Sequence, residues 1–312
     1  MQHNKILYTF LMLLGLFSSV SAQKKMAVTI DDLTNMSVGK DPELIRYVNT
    51  EIVKTCVKYQ VPAIGFVNET HLYKNNQLDS TEVEFLKIWV DNKLELGNHT
   101  YSHVDYNKVT EEQFFEEIEK GQLITSQLIK PAKVKYFRHP FLHRGNTAEK
   151  VKALEDYLKD HNMVEAPVTL DNSEWIYAAA YKKAFDADDD VMKDSIANSY
   201  VSYMISKIRY YENSSHTLFD RNISQILLVH DNLLNAEHLN ELLEAIQKEG
   251  YQFVSLEEAL KDPAYNSEDD VVAGWGISWL QRWAITQKQP KKFYEGEPLC
   301  PDFIQEYSGI SE

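Results

Sequence analysis

The residues with the clearest chemical potential are an aspartate pair and a histidine pair that lie far apart in the chain. Asp31 and Asp32 are adjacent, and His99 and His103 are spaced four positions apart. Two histidines at this spacing project from one face of a helical turn, so both imidazoles can reach one ion. One aspartate can complete a two-histidine, one-carboxylate site with open positions for water and substrate. The sequence therefore predicts a divalent metal site.

The second aspartate would supply this site with a base. A divalent ion lowers the pKa of the water that it binds toward neutrality, and a neighbouring carboxylate can take the released proton. This combination is typical of metal-assisted hydrolysis. Each feature alone also has a simpler interpretation, because a histidine pair can arise by chance on a helix and an aspartate pair can cap a helix or a turn.

Three further polar segments follow apolar runs later in the chain. They are Arg138-His-Pro-Phe141, Asp171-Asn-Ser-Glu174-Trp175 and Leu228-Val-His230. Together with Thr29-Ile-Asp-Asp32 and Asn98-His-Thr-Tyr-Ser-His103, this ordered series resembles the five motifs of the polysaccharide deacetylases, the NodB homology domain of carbohydrate esterase family four. The similarity extends over roughly residues 26–260, and its specificity lies in the order of the motifs rather than in any one of them.

The resemblance implies a metal site and a general base. Asp32, His99 and His103 would bind the divalent metal, which is usually zinc (Zn²⁺) in this family. Asp31 would be the general base that accepts a proton from the attacking water. Arg138 would pair with Asp31 and keep its carboxylate ionised, since a neighbouring guanidinium lowers a carboxylate pKa.

The resemblance also implies a general acid and a substrate pocket. His230 would protonate the leaving group, and Glu174 would tune it. A backbone N–H near Phe141 would stabilise the oxyanion together with the ion. The implied substrate pocket comprises Thr100, Pro140, Phe141, Asp171, Trp175 and Leu228, with Trp175 as the wall against the acetyl group.

Two positions depart from the family pattern. The fourth motif usually carries aspartate before tryptophan, whereas this chain has Glu174, so the contact with His230 can be direct, bridged by water or absent. The third motif often carries tyrosine where this chain has Phe141. The hydroxyl is lost, but the proposed oxyanion donor there is a backbone group.

Several of these side chains have purely structural alternatives. Arg138 could be a surface salt-bridge partner, Trp175 a core aromatic residue, and His230 a satisfied histidine at a strand end. His139 and His143, which flank the third motif, are expected at the rim rather than among the ligands. Asp105 is expected to cap a turn.

Composition limits the class of protein. At 312 residues, 44% apolar and 25% charged, the chain can bury one substantial core, which favours a single barrel-sized domain with appendages. The net charge of −15 argues against a nucleic-acid partner, because phosphates require a basic face. Cys56 and Cys300 could pair in an oxidising compartment or remain free thiols.

The first 22 residues are predicted to be a secretory signal peptide. Lys5 precedes an apolar run from Ile6 to Phe17, and Val20-Ser-Ala22 provides small residues before a cleavage point at Gln23. A second stretch long enough to cross a bilayer is not expected, so the mature protein has no predicted transmembrane segment. The expected location is periplasmic or extracellular.

Apolar β-rich runs alternate with helical patterns along the chain. The predicted elements are strands at Met26–Ile30 and Ala63–Val67, and helices at Pro42–Tyr59, Thr81–Leu94, Thr110–Ile129 with Thr110 as N-cap, and Ala148–Lys159. The alternation implies parallel strands, and the motifs fall where strands end, which is where sites assemble in a β/α barrel. The resemblance implies an α/β fold, a distorted (β/α)7 barrel with a helical insertion and a C-terminal extension.

The expected domain organisation has three parts. After the signal peptide at 1–22, a NodB-like catalytic domain covers 23–264, with a helical insertion at about 176–222 that is either an enlarged crossover or a lid. A Trp-rich extension covers 265–312. Trp275, Trp279 and Trp283 recur at helical spacing, which favours packing on the barrel over a sugar-stacking face.

The predicted function is metal-dependent hydrolysis of acetyl groups from a polysaccharide or oligosaccharide, so the expected partner is an acetylated carbohydrate. N-deacetylation of N-acetylglucosamine-containing glycans such as peptidoglycan, chitin-like polymers or exopolysaccharide is favoured, which makes the enzyme a hydrolase of carbon–nitrogen bonds other than peptide bonds. The alternatives are an O-acetyl esterase of the xylan type, a catalytically inactive glycan-binding relative, and a small-amide or cyclic-imide hydrolase.

Overall fold

The computed structural model describes residues 23–34, 38–39, 41–129 and 134–312. The predicted signal peptide at 1–22 therefore lies outside the described residues. Across these described ranges, no helix is both long enough and apolar enough to cross a bilayer.

A parallel β-sheet forms the centre of the fold. The strands are β1 (Lys24–Leu33), β2 (Ile64–Val67), β3 (Tyr73–Lys74), β4 (Gln77–Leu78), β5 (Glu95–Asn98), β6 (Lys135–Phe137), β7 (Met163–Glu165), β8 (Gln225–His230) and β9 (Tyr251–Phe253). Seven of them form one sheet in the order β7-β6-β5-β2-β1-β8, with β9 paired to the start of β1. Every pair in this sheet is parallel, and β3 and β4 make a separate antiparallel hairpin.

The sheet curls toward closure through the segment that follows β7. The N–H of Ala166 donates to the carbonyl of Phe137 on β6 at 2.8 Å, and four residues later the N–H of Leu170 donates to Ile226 on β8 at 3.0 Å. Residues 166–170 therefore cross from one end of the sheet to the other. This curled parallel sheet with surrounding helices confirms the predicted α/β fold of a distorted seven-stranded barrel.

The helices occupy the connections between strands and the end of the chain. They are α1 (Pro42–Lys58), α2 (Ser80–Asp91), α3 (Glu111–Lys120), α4 (Thr125–Leu128), α5 (Ala148–Asp160), α6 (Glu174–Asp186), α7 (Asp190–Phe219), α8 (Leu233–Lys248), α9 (Leu256–Ala259), α10 (Trp279–Thr286) and α11 (Asp302–Ser308). Side-chain N-caps start several of them, as Asp41 does for α1 and Thr147 for α5. Cys56 and Cys300 are both buried free thiols.

The predicted helix at Thr110–Ile129 is wrong in its length. Thr110 is the N-cap, and it forms a reciprocal capping box with Gln113, as the sequence predicts. The helix ends at Lys120 because Gly121 lies against the backbone of Thr100, where a Cβ atom on Gly121 would come within 2.6 Å of the Thr100 carbonyl carbon. A short second helix, α4, follows this close contact.

The C-terminal segment, residues 265–312, packs against the barrel through α10. The N–H of Trp279 donates to the carbonyl of Val168 at 2.7 Å, and the hydroxyl of Ser278 donates to Thr169 at 2.7 Å. Trp279 and Trp283 are buried, whereas Trp275 is 50% exposed and precedes α10. The three tryptophans therefore do not share one helix, although their spacing predicts one.

Candidate metal and active site

The predicted chemical residues lie at the carboxyl ends of the central strands. Asp31 and Asp32 are near the end of β1, His99 directly follows β5, Arg138 directly follows β6, and His230 is the last residue of β8. Because these strands are parallel neighbours, their carboxyl ends meet at one edge of the sheet. A cavity of about 790 Å³ opens there, and both aspartates, His99, His103 and His230 line it.

Asp32, His99 and His103 bring three potential metal-ligand atoms together. Oδ1 of Asp32 lies 3.4 Å from Nε2 of His99 and 3.6 Å from Nε2 of His103. The three donor atoms lie within 4.8 Å of one another. Within the part of the chain that the structure describes, Oδ1 of Asp32 is buried without a hydrogen-bond partner, so a cation that accepts its lone pair fits this position.

The two imidazoles are in the form that binds a metal. Nδ1 of His99 lies 2.9 Å from the carbonyl oxygen of Arg138, so it carries the proton and leaves Nε2 free toward the cluster. Burial, reinforced by the neighbouring His103, holds the pKa of His99 well below its usual value. Burial also lowers the pKa of His103. Two neutral imidazoles and one carboxylate suit a divalent ion that prefers nitrogen and oxygen ligands.

The predicted helical turn for the histidine pair is wrong. Thr100 and His103 have φ angles of 66° and 55°, which a right-handed helix does not contain. The loop is held from outside instead, because the N–H of Tyr101 donates to the carbonyl of Glu117 on α3 at 2.9 Å. The side chain of Asn98 also accepts the N–H of Thr100 at 2.7 Å. The two imidazoles thus converge through a strained loop rather than through helical periodicity.

Asp31 and Arg138 form a buried pair beside the metal cluster. Nη1 of Arg138 lies 3.7 Å from Oδ2 of Asp31, and Nη2 donates to the hydroxyl of Thr29 at 2.8 Å. Arg138 is fully buried, which excludes the surface salt-bridge alternative. Burial raises the pKa of Asp31 to about 6, while the Arg138 guanidinium acts in the opposite direction. A carboxylate with this pKa is ionised at neutral pH and can still take up a proton.

His230 contacts Glu174 directly. Nδ1 of His230 lies 2.7 Å from Oε2 of Glu174, so the longer side chain makes the contact that the sequence left open. The other oxygen, Oε1, accepts hydrogen bonds from the side-chain amides of Asn232 and Asn235. Burial alone would lower the pKa of His230, but the hydrogen bond to Glu174 and the negative charges of Glu174, Asp32 and Asp31 together outweigh it and raise the pKa to about 9. His230 is therefore an imidazolium at neutral pH, with a proton to give.

The residues of the implied substrate pocket divide into two groups. Phe141, Asp171, Trp175 and Leu228 line the cavity, and Trp175 is 38% exposed there rather than buried in the core. Thr100 and Pro140 are buried and do not line the cavity. The backbone of Thr100 lies against Gly121, and the residue is fully buried.

The two histidines that flank the third motif line the cavity but have other partners. Nε2 of His139 lies 2.5 Å from Oε1 of Glu165, and Nδ1 of His143 lies 2.8 Å from Oδ1 of Asp105. Asp105 also caps the short helix Tyr106–Lys108 by accepting the N–H of Asn107 at 2.9 Å. These contacts occupy one ring nitrogen of each imidazole, and neither residue belongs to the cluster of Asp32, His99 and His103.

The cavity has a second wall that the five motifs do not contain. The residues that line it from α7 and the C-terminal segment include Lys207, Gly276, Gln281, Glu297 and Glu312. Sequence reasoning missed them because they lie far from any motif and have no catalytic spacing. The C-terminal segment contains three tryptophans, Pro298 and Pro301, and this composition indicates an ordered structure. It does not indicate which side of the segment lines the cavity.

One family model matches part of the sequence. Residues 19–158, less than half of the chain, match the family model described as polysaccharide deacetylase. This match confirms the resemblance seen in the ordered motifs. None of the curated proteins compared with the chain matches it.

Solved structures with a similar fold include a member of carbohydrate esterase family 4. The chain is similar to wild-type BA3943, described as a pseudoenzyme from Bacillus anthracis, with 18% identity, a TM-score of 0.52, and coverage of 77% of this chain and 66% of that one. It is also similar to the Bc1960 peptidoglycan N-acetylglucosamine deacetylase, with 16% identity, a TM-score of 0.50, and coverage of 76% and 88%. At these identities the similarity establishes the fold.

Proposed function

We propose that this protein is a metal-dependent deacetylase that removes N-acetyl groups from a glycan containing N-acetylglucosamine. The observation that carries the proposal is the meeting of three components in one cavity. These are the Asp32, His99 and His103 cluster, the Asp31 carboxylate paired with Arg138, and the His230 imidazolium. Metal-assisted hydrolysis requires such a ligand set, a base and an acid within reach of one bond.

The residues of the chain would divide the reaction between them. A divalent ion, most simply Zn²⁺, would be held by Asp32, His99 and His103 and would supply Lewis acidity toward water and the acetyl carbonyl. Asp31 takes the proton of the attacking water, and Arg138 holds the carboxylate in place. A carbon–oxygen bond forms at the acetyl carbon, the carbon–nitrogen bond breaks, and His230 gives its proton to the leaving nitrogen. The products are acetate and a free amine.

The pocket residues would position the acetyl group. Trp175 and Phe141 offer exposed apolar surface at the cavity, which suits a methyl group and the face of a sugar ring. Phe141 and Leu142 have φ angles of 57° and 55°, so their turn presents its backbone in an unusual direction. We infer that a backbone N–H of this turn donates to the oxyanion.

Acetate release combined with metal analysis tests this function. Asp31→Asn is expected to lower turnover by roughly 10²–10⁴-fold while the purified protein keeps its metal content. His99→Ala is expected to lose both the metal and the activity. The control is Asp91→Asn, which makes the same change of charge at an exposed position at the end of α2. It is expected to keep wild-type turnover and metal content. Full activity in either site variant would overturn the assigned roles.

The choice of substrates separates this proposal from its alternatives. Faster release from O-acetylated xylan than from N-acetylated oligosaccharides would instead indicate an O-acetyl esterase. Glycan binding without metal-dependent acetate release would indicate an inactive binding protein. The intact pairs of Asp31 with Arg138 and of His230 with Glu174 support turnover, because a protein that only binds glycans needs neither pair.

We further propose that the protein is exported to the periplasm or beyond the cell and acts there on its acetylated carbohydrate. The supporting pattern is the apolar run from Ile6 to Phe17 followed by small residues before Gln23. The mature chain would then comprise the catalytic domain at 23–264, with its insertion at about 176–222, and the extension at 265–312. Mass spectrometry of the secreted protein should find Gln23 at its N-terminus, and an uncleaved cytoplasmic chain would contradict export.

A further inference from the structure

The active-site cavity continues past the catalytic cluster, between α7 and the C-terminal segment. We propose that this part of the cavity is a sugar subsite that accepts a neutral or amine-bearing sugar unit and rejects a carboxylate-bearing one. The inference rests on the proposed deacetylase function and specifies its substrate class. Nothing in the five motifs encodes it, because its walls come from Lys207 on α7 and from Gln281, Glu297 and Glu312.

Among the described residues that line this cavity there is one lysine, and its charge is already neutralised. Lys207 is only 4% exposed, and its Nζ lies 2.5 Å from Oε1 of Glu297. The same oxygen accepts the hydroxyl of Tyr211 at 2.8 Å, and Oε2 accepts the side-chain amide of Gln281 at 2.7 Å. Three donors thus fix the Glu297 carboxylate against Lys207. A ligand carboxylate cannot pair with this lysine without displacing Glu297.

The remaining charges of the subsite are negative. Asp171 and Glu312 line the cavity together with Glu297, so among the described residues of this wall three carboxylates outnumber the one ammonium of Lys207 by two. Glu312 is held in place, because its two oxygens accept the hydroxyl of Ser173 and the N–H of Cys300, each at 2.5 Å. Oδ1 of Asp171 accepts the N–H of Asn172 at 2.9 Å. Fixed acceptors of this kind bind hydroxyl and ammonium donors and repel a carboxylate.

The surface beside these carboxylates suits a sugar ring. Trp175 is 38% exposed and Leu299 is 69% exposed, and both line the same cavity. A flat apolar surface next to hydrogen-bond acceptors complements a pyranose, which has apolar faces and a rim of hydroxyl groups. The combination favours a neutral or amino sugar over a small organic cation.

The test compares one oligosaccharide in two charge states. The probe is a short oligosaccharide of N-acetylglucosamine alternating with glucuronic acid, used with free carboxylates and as its methyl ester. For the wild-type enzyme, we expect kcat/KM for the methyl ester to be at least about tenfold higher than for the form with free carboxylates. The reason is that the substrate carboxylates and the carboxylates of the subsite repel each other. Raising the ionic strength to about 0.5 M should narrow this difference through screening.

A charge variant identifies the carboxylate that causes the rejection. Glu297→Gln keeps the size of the side chain and one acceptor oxygen but removes the negative charge that compensates Lys207. The preference for the ester in kcat/KM is therefore expected to shrink several-fold. Glu295→Gln makes the same charge change two residues away at an exposed position and should leave the preference unchanged. If the Glu297 variant is poorly folded, the wild-type comparison and its salt dependence still decide the question.

Failure of the proposed subsite and failure of the proposed deacetylase function give different results. Equal kcat/KM values for the two forms, or a preference for the free carboxylates, would overturn the subsite while leaving the deacetylase function intact. Absence of acetate release from every acetylated glycan would overturn the proposed function. In that case calorimetric titration of the two forms still tests the subsite, since tighter binding of the ester is expected and equal binding contradicts it.

Discussion

Three ionisable side chains at the site are each paired with a second group that sets their protonation. Asp31 has the buried guanidinium of Arg138, and His230 has the carboxylate of Glu174. The Nδ1–H of His99 donates a hydrogen bond to a backbone carbonyl, which leaves Nε2 free to bind a metal. The proposed base is therefore ionised and the proposed acid protonated over the same range of pH, as an acid–base pair requires.

Removal of the Glu174 charge is expected to shift the alkaline limb of the pH–rate profile. The Glu174 carboxylate stabilises the imidazolium and raises the pKa of His230 to about 9. In Glu174→Gln that stabilisation is lost, so the pKa falls and the protonated acid disappears at lower pH. The descending limb of kcat/KM should move toward neutral pH, and activity at neutral pH should fall by up to about 10²-fold.

A charge-retaining variant provides the control. Glu174→Asp keeps the negative charge but shortens the side chain by one methylene, so the alkaline limb should move less than it does in Glu174→Gln. If the limb moves equally in both variants, the charge of Glu174 does not govern the protonation of His230.

The sequence predicts the identity of the chemical residues better than their geometry. Asp31, Asp32 and His230 could be found because each lies near the end of an apolar strand in a recognisable order. The helical turn expected for His99 and His103 could not be corrected from spacing, because hydrogen bonds to residues outside the loop hold its shape. The Glu174 contact likewise depends on a difference of one methylene, which only the packing around it decides.

At the scale of elements, the site depends on loops that are held by other elements. The His99–His103 loop is fixed against α3, and Gly121 is needed there because the two backbones touch. The Phe141–Leu142 turn is held by the C-terminal segment, through Gly276. The strands and most helices could be predicted from periodicity, but these contacts join parts of the chain that share no local pattern.

Gly276 is expected to be a positioning residue for the Phe141 turn. A Cβ atom at this position would lie 2.0 Å from the carbonyl oxygen of Phe141 and 2.8 Å from Cβ of Leu142. Backbone atoms cannot yield as a flexible side chain would, so Gly276→Ala must displace the turn. Because small displacements of positioning groups are costly, kcat should fall by roughly 10- to 100-fold, while metal content stays unchanged.

The neighbouring glycine supplies a matched control. A Cβ atom at Gly274 would meet nothing within 4 Å, so Gly274→Ala should retain wild-type kcat. Metal analysis and thermal unfolding of both variants separate a displaced turn from general loss of structure. Wild-type kcat in Gly276→Ala would show that this close contact has no part in catalysis.

At the scale of the molecule, a buried ionic network joins the C-terminal segment to the barrel. Oδ2 of Asp269 lies 3.1 Å from Nη1 of Arg144 and 2.6 Å from Nε of Arg282. Arg144 also donates to Oε1 of Glu165 at 2.6 Å, and His139 contacts the same oxygen. The network thus links α10 to the end of β7 and to the loop after β6.

Asp269→Asn is expected to weaken the attachment of the C-terminal segment. The variant removes the charge between two arginines that are almost completely buried, and a broken buried ion pair typically costs about 3–5 kcal/mol of stability. The free energy of unfolding in urea should fall by at least about 2 kcal/mol, since asparagine keeps one acceptor. Asp270→Asn, at the exposed neighbouring position, should change it little. Equal stabilities of the two variants would contradict a structural role for the network.

The same network predicts loss of stability in acid. Burial would raise the pKa of Glu165, but Arg144 and His139 outweigh it and hold the pKa well below the ordinary value of 4.5. The folded state therefore binds the Glu165 proton more weakly than the unfolded state, so this stabilisation is present above pH 4.5 and is lost as the pH falls below it. The free energy of unfolding should decline more steeply with acidification in wild type than in Glu165→Gln, which lacks the titrating group. Identical slopes for the two proteins would show that the Glu165 carboxylate is not held ionised by its partners.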